Sequence, residues 1–534
     1  MLGTLVLRDY RCFKRETPVR LDIRRGFTSF LGPNNGGKSA LIRSLQELRQ
    51  LFTTFLAVQN GNAQSVLQTL HTFNRSSGMY DTAEIVNERD DPKCDVELIL
   101  DKGSFSSDAK FVTRVLFEFT SDGSQFRMRP FINDEVELGL NGNGSHCHDT
   151  LAEDDRVGIR TAGLGTIDVT CMAILCDALS RVMYIGPFRN AINEGAAGHY
   201  DIQVGTGFVA QWDTWKTGPE RTKNRAIEKV TADVQRLLEA QSLEVTSASG
   251  GKTLQVSIDR RPHKLSEIGS GVSQLIVVLG NAAVRRPSFV AIDEPECHLH
   301  PGLQHDFLTT LASYCELGVF FATHSVGLAR SISDYPYVVE RRVESSIVRS
   351  PERVPRYAEF LGSMGIAALQ EIGWDSVLLV EGTKDVRTFQ QWLRTLNLNR
   401  RVIVLPLGGG SMIHGKHHLE LAEIRRLSER VYALVDSERI SHGAPLEEGR
   451  QEFLEACAEL GIPCLATAWR AIENYVSQIA ADAAYDKKAQ VLGPYDDPKK
   501  FPWGKSETWR AARYMGKAEL LATDIGQFLQ KMTI

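Results

Sequence analysis

Short apolar stretches separated by polar turns open the chain, a pattern typical of β-strands. The segments LVLRDYRCF, VRLDI and FTSFLG predict three strands before a Gly-rich turn. Beyond that turn, Leu41, Leu45, Leu48 and Phe52 recur at helical spacing. The turn is therefore predicted to join a buried strand to an amphipathic helix.

Further along, SFVAIDEPE and GVFFATHS are apolar runs bounded by polar residues, as expected for parallel strands covered on both faces. RVMYIG predicts another buried strand, and Ile227, Val230, Val234 and Leu237 mark an amphipathic helix. From about residue 60 to 180 the pattern is less regular. There KCDVELILD and KFVTRVLFEF predict strands, and the fold of this inserted region is left open.

A new series begins at residue 376. The apolar segments SVLLVEG, RVIVLPLGGG, VYALVD and PCLATA alternate with helical stretches such as KDVRTFQQWLRTL and HLELAEIRRLSER. This alternation predicts a second α/β unit built on a parallel sheet. We therefore expect an α/β protein with a first domain at residues 1–345, a linker at 346–375 and a second domain at 376–534.

The bulk composition agrees with more than one domain, because 534 residues exceed what a single hydrophobic core accommodates. The chain is 43% hydrophobic and 24% charged, which is typical of a globular protein. It shows no apolar run of bilayer length and no signal peptide, so we expect a cytoplasmic protein without a membrane partner. The nine cysteines show no paired spacing, so we expect them to be reduced thiols. A net charge of −5 leaves nucleic-acid binding undecided.

The Gly-rich turn, GPNNGGKS at residues 32–39, fits the phosphate-binding pattern G-x-x-x-x-G-K-[ST]. Its glycines let backbone amides surround phosphate oxygens, while Lys38 reaches the β- and γ-phosphates and Ser39 can ligate Mg²⁺. The predicted nucleotide-binding residues of this loop are Gly32, Asn34, Asn35, Gly36, Gly37, Lys38, Ser39 and Ala40.

Two carboxylates and a histidine follow later strands. Asp293 would hold Mg²⁺ together with Ser39, and Glu294 would polarise the attacking water. His324, at the end of FFATHS, could contact the γ-phosphate. Each residue alone has an ordinary structural explanation. In this order, behind a phosphate-binding loop, they indicate an ATPase.

The segment GSGVSQ places Ser270 and Gly271 ahead of a helix, and ECHLHP follows the two carboxylates. The set resembles the ABC-type ATPase head. The motifs GPNNxGKS, YIGPxR and DEPExHLHP are similar to those of DNA-repair and structural-maintenance ATPases and of OLD-family (overcoming lysogenization defect) proteins. The resemblance implies that ATP is sandwiched in a dimer, with Ser270 and Gly271 of one subunit completing the site of the other. The signature lacks the usual leading Leu-Ser.

A second group of acids lies in the C-terminal part. Glu381 follows the apolar residues 377–380, Asp385 begins a helix, and Asp436 and Glu438 end another predicted strand. Carboxylates at the C-terminal ends of neighbouring parallel strands converge on one crevice. Such oxygen ligands suit Mg²⁺ or Mn²⁺, so we predict a metal site there.

This part resembles a Toprim domain. VEGTKD matches the glutamate motif, and GGGS matches a glycine turn. DSE matches the D-x-D motif except that its last residue is the longer glutamate. AIENY is similar to a segment of OLD-type Toprim domains, which implies that Glu473 is an added metal ligand. The resemblance also implies a lysine that stabilises charge on the cleaved phosphate, and Lys505 and Lys517 are both candidates.

Taken over nearly the whole chain, the OLD resemblance implies an ATP-hydrolysing, metal-dependent endonuclease that cleaves DNA rather than RNA. It implies ATP, Mg²⁺ and, at the Toprim site, also Mn²⁺ as cofactors. Implied partners are a second copy of the chain, or more copies, joined through the ATPase heads. A helicase, or a reverse transcriptase with its noncoding RNA, is the implied partner protein in anti-phage defence.

Three alternatives stay open. The same acids would serve a toxin that cleaves RNA such as tRNA. Glu438 in place of aspartate would also suit an ATP-driven sensor or scaffold with an inactive Toprim site. A DNA-repair ATPase would need a separate nuclease, and the sequence does not decide whether ATP activates or restrains cleavage.

Overall fold

We analysed a computed structural model of the chain. It describes residues 2–32, 35–58, 66–67, 69–76, 79–87, 93–101, 110–133, 136–138, 147–153, 156–161, 165–187, 198–248, 253–265, 267–342, 345–349, 376–399, 401–407, 421–422, 424–425, 430–485, 490–500 and 504–533. Asn34, the GGGS turn at 408–411, most of the predicted linker and most of the predicted helix HLELAEIRRLSER lie outside the described residues.

The strands are, in chain order, β1 (Gly3–Arg8), β2 (Val19–Ile23), β3 (Gly26–Leu31), β4 (His71–Thr72), β5 (Asp95–Ile99), β6 (Val112–Phe119), β7 (Gln125–Ile132), β8 (Val136–Glu137), β9 (Cys147–Glu153), β10 (Arg156–Thr161), β11 (Gly165–Asp168), β12 (Met183–Ile185), β13 (Gly198–His199), β14 (Ile202–Gln203), β15 (Leu243–Ser247), β16 (Leu254–Ile258), β17 (Arg261–Lys264), β18 (Phe289–Asp293), β19 (Gly318–Thr323), β20 (Tyr335–Arg341), β21 (Ser346–Arg349), β22 (Ser376–Val380), β23 (Val402–Pro406), β24 (Val431–Val435) and β25 (Cys464–Ala466).

The helices are α1 (Lys38–Glu47), α2 (Arg49–Ala57), α3 (Thr170–Ser180), α4 (Gly205–Thr217), α5 (Arg221–Leu237), α6 (Ser270–Arg285), α7 (Pro301–Ala312), α8 (Val326–Ile332), α9 (Thr383–Thr395), α10 (Glu448–Glu459), α11 (Gln478–Tyr485), α12 (Thr508–Ala512), α13 (Lys517–Leu521) and α14 (Asp524–Gln530). Short 3₁₀ turns occur at Thr82–Ile85, Ile472–Tyr475, Pro498–Lys500, Lys505–Glu507 and Lys531–Thr533.

The chain divides into two compact units. The first unit comprises Met1–Leu299, Thr310–His324 and Tyr337–Ser350. The second comprises His300–Thr309, Ser325–Pro336 and Pro351–Ile534. Two segments inside the predicted first domain therefore group with the C-terminal part, which the hydrophobic pattern did not predict.

The first unit is built around a sheet with the strand order β12-β18-β19-β3-β20-β21. Strands β12, β18, β19 and β3 run parallel, as predicted for β18 and β19. The register pairs Asp293 with Ala322 and Thr323 with Leu31, so β3, β18 and β19 end at the same edge. Helix α1 follows β3 directly and contacts these strands.

A second sheet of this unit is antiparallel, with the order β2-β1-β5-β6-β7-β4 and β8 paired to β7. Shorter ladders follow the orders β11-β10-β9, β13-β14 and β15-β16-β17. The region left open by the sequence, residues 60–180, thus contributes strands β4 to β11 and helix α3. Buried and partly exposed side chains alternate along β6, which explains its clear period of two.

The second unit contains a sheet with the order β23-β22-β24-β25, all of whose strands are parallel. Helix α9 follows β22 and buries Val386, Phe389 and Trp392 in a core cluster of this unit. This i, i+3, i+6 series is the helical periodicity seen in the sequence.

Two arginines of α9 join it to the segments that group unexpectedly with the second unit. Arg387 pairs with Asp334 at 2.6 Å, and Arg394 pairs with Asp306. All four side chains are less than 10% exposed. A buried charge is costly unless it is paired, so each arginine of α9 needs the aspartate that it contacts. These two ion pairs hold segments that are distant in sequence within this unit.

Candidate functional site

The phosphate-binding loop has the backbone that its glycines predict. A Cβ on Gly32 would lie 2.1 Å from the carbonyl oxygen of Val339, so only glycine fits there. Gly37 precedes α1 with a φ of 102°, and Asn35 has a φ of 58°. These conformations turn the loop sharply into the N-terminus of a helix, where free amides favour anions.

Lys38 is buried beneath this loop. Its Nζ donates to the carbonyl oxygen of Gly32 at 2.8 Å and lies 3.2 Å from Nδ1 of His324. Burial lowers the pKa of Lys38, and the carboxylates of Asp293, Glu294 and Glu296 oppose that effect. The lysine charge is therefore held at the edge where the predicted carboxylates emerge.

Glu294 and His324 meet because β18 and β19 are adjacent and parallel. Nε2 of His324 lies 3.1 Å from Oε1 of Glu294. Nδ1 of His324 also lies 3.1 Å from the carbonyl oxygen of Gly32, so this ring nitrogen contacts one donor, Lys38, and one acceptor. Lys38, His324 and Glu294 consequently form one connected chain of polar contacts.

Glu296, for which the sequence pattern predicted no role, fixes this arrangement. Its Oε1 accepts from the Thr323 hydroxyl at 2.6 Å and from the backbone amide of His324 at 2.9 Å. Glu296 thereby ties the segment after β18 to the end of β19. Its place in the DEPE motif was the available signal.

Asp293 is 1% exposed and lies at the end of β18. Burial raises the pKa of Asp293, while the hydroxyl of Ser39 lowers it to a smaller extent. Neither carboxylate oxygen makes a regular hydrogen bond with a described residue. A buried carboxylate beside a hydroxyl is a donor pair that fits Mg²⁺, as predicted for Asp293 and Ser39.

Ser270 begins helix α6 and is exposed, as a group that acts on another molecule would need to be. A Cβ on Gly271 would lie 2.5 Å from the carbonyl oxygen of His298. The glycine of the signature segment is therefore packed against the ECHLHP segment. Ala40 lies in the first turn of α1 and is partly buried.

The second predicted site lies at the C-terminal edge of the sheet of the second unit. Strands β22 and β24 are adjacent and pair Val380 with Leu434. Glu381 and Asp436 follow these strands directly, so they emerge side by side at one edge. An Oδ1 atom of Asp436 accepts from the amide of Ile472 at 3.0 Å, which fixes the neighbouring 3₁₀ turn.

Arg450 of helix α10 lies between these strand ends, and the sequence gave no sign of it. Its two terminal nitrogens donate to the two oxygens of Glu381, at 3.0 and 3.2 Å. The same side chain donates to the backbone carbonyl of Asp436. The carboxylates of Glu381, Asp436 and Glu438 raise the pKa of Arg450 against the opposing effect of burial, so its charge is held.

The other predicted metal ligands have different contacts. Asp385 accepts from the amide of Gly382 at 2.8 Å and caps α9. Glu438 pairs with Arg470 at 3.3 Å. Glu473 is 2% exposed and belongs to the turn attached to Asp436.

The convergence of all five carboxylates on one metal ion stays a prediction. Within the described parts of the chain, no group of three or more His, Cys, Asp or Glu side chains is close enough to hold a metal ion. The hard oxygen donors still suit Mg²⁺ or Mn²⁺ chemically. In this arrangement the cation beside Glu381 is the guanidinium of Arg450.

The two candidate lysines lie in the last part of the chain. Lys517 is exposed at the first position of α13. Lys505 begins a 3₁₀ turn, and its side chain lies outside the described residues. The structure does not choose between them.

One known family matches a part of the chain. Residues 216–330, which include the signature segment, Asp293, Glu294 and His324, match the family described as "AAA domain, putative AbiEii toxin, Type IV TA system". None of the curated proteins matches the chain.

Among solved structures, an SMC head domain from Thermotoga maritima matches with 15% identity and a TM-score of 0.34, over 66% of this chain and 98% of that one. An SmcHead bound to the C-winged helix domain of ScpA matches with 14% identity and a TM-score of 0.35, over 65% and 97%. An Smc head domain with ScpA derived from Pyrococcus furiosus matches with 10% identity and a TM-score of 0.34, over 69% and 98%. These likenesses are distant, and the ATPase assignment rests on the family match and on the loop geometry.

None of the helices in the described ranges has both the length and the apolar character that crossing a bilayer requires.

Proposed function

We propose that this protein hydrolyses ATP and uses the nucleotide to control cleavage of nucleic acid by its second unit, with DNA as the substrate. The observation that carries the ATPase half is the chain of contacts from Lys38 through His324 to Glu294 at the end of β18 and β19. The nuclease half rests on Glu381 and Asp436 at the ends of adjacent parallel strands.

In the first unit, the amides of residues 35–38 and the ammonium of Lys38 would bind and orient the phosphates. Mg²⁺ held by Ser39 and Asp293 would neutralise phosphate charge. Glu294 would take a proton from a water whose oxygen attacks the γ-phosphorus, while the bond to the β,γ-bridging oxygen breaks and ADP leaves. His324 would hold Glu294 through Nε2 and sense the γ-phosphate.

We also propose a homodimer, or a higher assembly, formed through the heads, and the exposed position of Ser270 at the start of α6 supports this proposal. In the ABC-type resemblance, that segment completes the site of a second copy. We further propose an anti-phage role with a partner protein, either a helicase or a reverse transcriptase with its noncoding RNA.

In the second unit, we propose an OLD-type Toprim nuclease. Glu381, Asp436, Glu438 and Glu473 would hold Mg²⁺ or Mn²⁺, with Asp385 nearby in sequence. The metal would supply an activated water and stabilise the leaving oxygen during phosphodiester hydrolysis. Lys505 or Lys517 would balance charge on the cleaved phosphate.

A second candidate is a toxin that cleaves RNA such as tRNA. The observation that favours it is the description of the matching family, which names a putative toxin of a toxin–antitoxin system. A third candidate is a sensor or scaffold with an inactive second unit. The observation that favours it is the ion pair of Arg450 with Glu381, in which the guanidinium supplies the positive charge that a metal ion would supply.

Cleavage assays test these functions directly. The purified chain is incubated with supercoiled DNA, linear DNA and total tRNA, with Mg²⁺ or Mn²⁺ and with or without ATP. Lys38→Ala, Glu381→Gln and a control, Glu452→Gln on the exposed face of α10, are assayed alongside.

Cleavage that is lost in Glu381→Gln and retained in the control would support the nuclease. The substrate that is cut separates the DNA reading from the RNA reading, and Lys38→Ala gives the sign of ATP control. ATP hydrolysis without cleavage of any substrate by the chain alone would favour the sensor instead.

A further inference from the structure

Arg450 combines deep burial with contacts to both predicted acidic strand ends. Its side chain is 4% exposed, whereas that of Glu381 is 21% exposed. Two of its nitrogens engage both oxygens of Glu381, and one of them also donates to the carbonyl of Asp436. The guanidinium therefore occupies the space between the ends of β22 and β24.

This geometry is incompatible with full use of Glu381 by a metal ion. A carboxylate whose two oxygens both accept from one guanidinium fork cannot at the same time chelate a divalent cation. The fixed positive charge of Arg450 also repels a second cation in the same space. An arginine cannot relieve this conflict by losing its proton, so the side chain has to move.

We propose that Arg450 is the resident counter-cation of this edge and that a divalent metal binds by displacing it from Glu381. Arg450 is thus a positioning residue that sets the metal affinity of the second unit. The inference rests on the proposed function, in which Glu381 is a metal ligand.

The position of Arg450 makes such an exchange feasible. It lies in the first turn of α10, close to the exposed carboxylate of Glu447, whose Oε2 is 4.0 Å from its Nε. Glu447 is 61% exposed and offers an alternative ion pair toward solvent. Rotation of the Arg450 side chain toward Glu447 would take the guanidinium away from Glu381.

The alternative is that Arg450 has a structural role, in which it stays bound to both strand ends and orients Glu381 for the metal. The two readings predict opposite effects of removing the guanidinium. If Arg450 competes with the metal, removal tightens metal binding. If Arg450 orients Glu381, removal weakens it.

Manganese titration separates them without relying on activity. The full chain, stripped of metal with a chelator, is titrated with Mn²⁺ by calorimetry in the absence of nucleotide. All proteins carry Asp293→Asn, which removes the carboxylate of the predicted site in the first unit. The variants are Arg450→Gln, Arg450→Lys and Glu381→Gln, with Arg510→Gln as the matched control because Arg510 pairs with Glu507 and not with the acids.

We expect Arg450→Gln to bind Mn²⁺ at least tenfold more tightly, equivalent to about 1.4 kcal/mol. Arg450→Lys, which keeps the charge and loses the fork, should fall in between and gives the answer if Arg450→Gln does not fold. Arg510→Gln should match the parent.

The exchange would be overturned if both Arg450 variants bound Mn²⁺ as the parent does or more weakly, while Mn²⁺ binding by the parent depended on Glu381. The proposed nuclease would then remain intact. Absence of any Glu381-dependent binding in the parent and in the variants would overturn both.

Discussion

The buried ion pair between Arg387 and Asp334 gives the sharpest stability prediction. Arg387 lies in α9, the helix that begins after Glu381, and Asp334 lies in a segment that the sequence placed in the first domain. We consider three variants: Arg387→Met, Asp334→Leu and the double variant. Met approximates the volume of arginine, and Leu keeps the branched heavy-atom skeleton of aspartate; neither carries a charge.

The magnitude follows from burial. Arg387 is 1% and Asp334 5% exposed, and Nη2 lies 2.6 Å from Oδ1. Removal of one partner leaves the other charge buried, which costs about 3–5 kcal/mol. Removal of both charges avoids that cost, so the double variant should lose less than about 1 kcal/mol. The coupling free energy, which is the sum of the two single costs minus the cost of the double variant, should therefore exceed about 5 kcal/mol.

Hydrogen exchange provides the assay, because a chain with two compact units need not unfold in one step. The opening free energy is read from peptides covering Thr383–Thr395, and peptides from α1 serve as the internal reference. Lys223→Met removes a far more exposed ion pair, with Glu220, and should cost less than about 0.5 kcal/mol. Additive single-variant costs, or costs below about 1 kcal/mol, would refute the reasoning.

Three further outcomes are expected. Glu294→Gln should bind ATP normally but hydrolyse it about 10²–10⁴-fold more slowly, because the proton acceptor is lost; normal turnover would remove Glu294 from the mechanism. Asp293→Asn should raise the melting temperature at pH 7. Burial raises the pKa of Asp293, so the charged carboxylate lowers the stability of the folded state above that pKa. A lower melting temperature of the variant without nucleotide would contradict this. Burial lowers the pKa of His305 to about 4, so the unfolded chain binds the extra proton first and stability should fall by about 3 kcal/mol as pH drops from 6.5 to 4. His305→Leu should lose this pH dependence of the opening free energy of α7, and an unchanged dependence would assign it to other groups.

Local patterns predicted much of the first site. The glycines of the GPNNGGKS loop specify a sharp turn, and the apolar runs before Asp293 and His324 specify buried strands. Parallel pairing of those strands then brings the acid and the histidine to one edge. Short-range sequence signals suffice here because each functional side chain ends a regular element.

The second site was predicted less completely. Glu381 and Asp436 do end adjacent parallel strands, as their apolar runs indicated. Asp385 and Glu438 instead satisfy a helix cap and an ion pair with Arg470, respectively. An acidic residue near a strand end has several local partners available, and spacing alone does not rank them.

The sequence by itself indicated the parallel strands of both units, helices such as α1, α5 and α9, the phosphate-binding turn and the identity of the acids, because these depend on periodicity and on backbone preferences over a few residues. Only the tertiary structure decided that Arg450, 69 residues from Glu381, sits between the strand ends. It alone also decided that His300–Thr309 and Ser325–Pro336 belong with the second unit. Both outcomes depend on which charges are buried together, and burial is a property of the packed chain, not of any local segment.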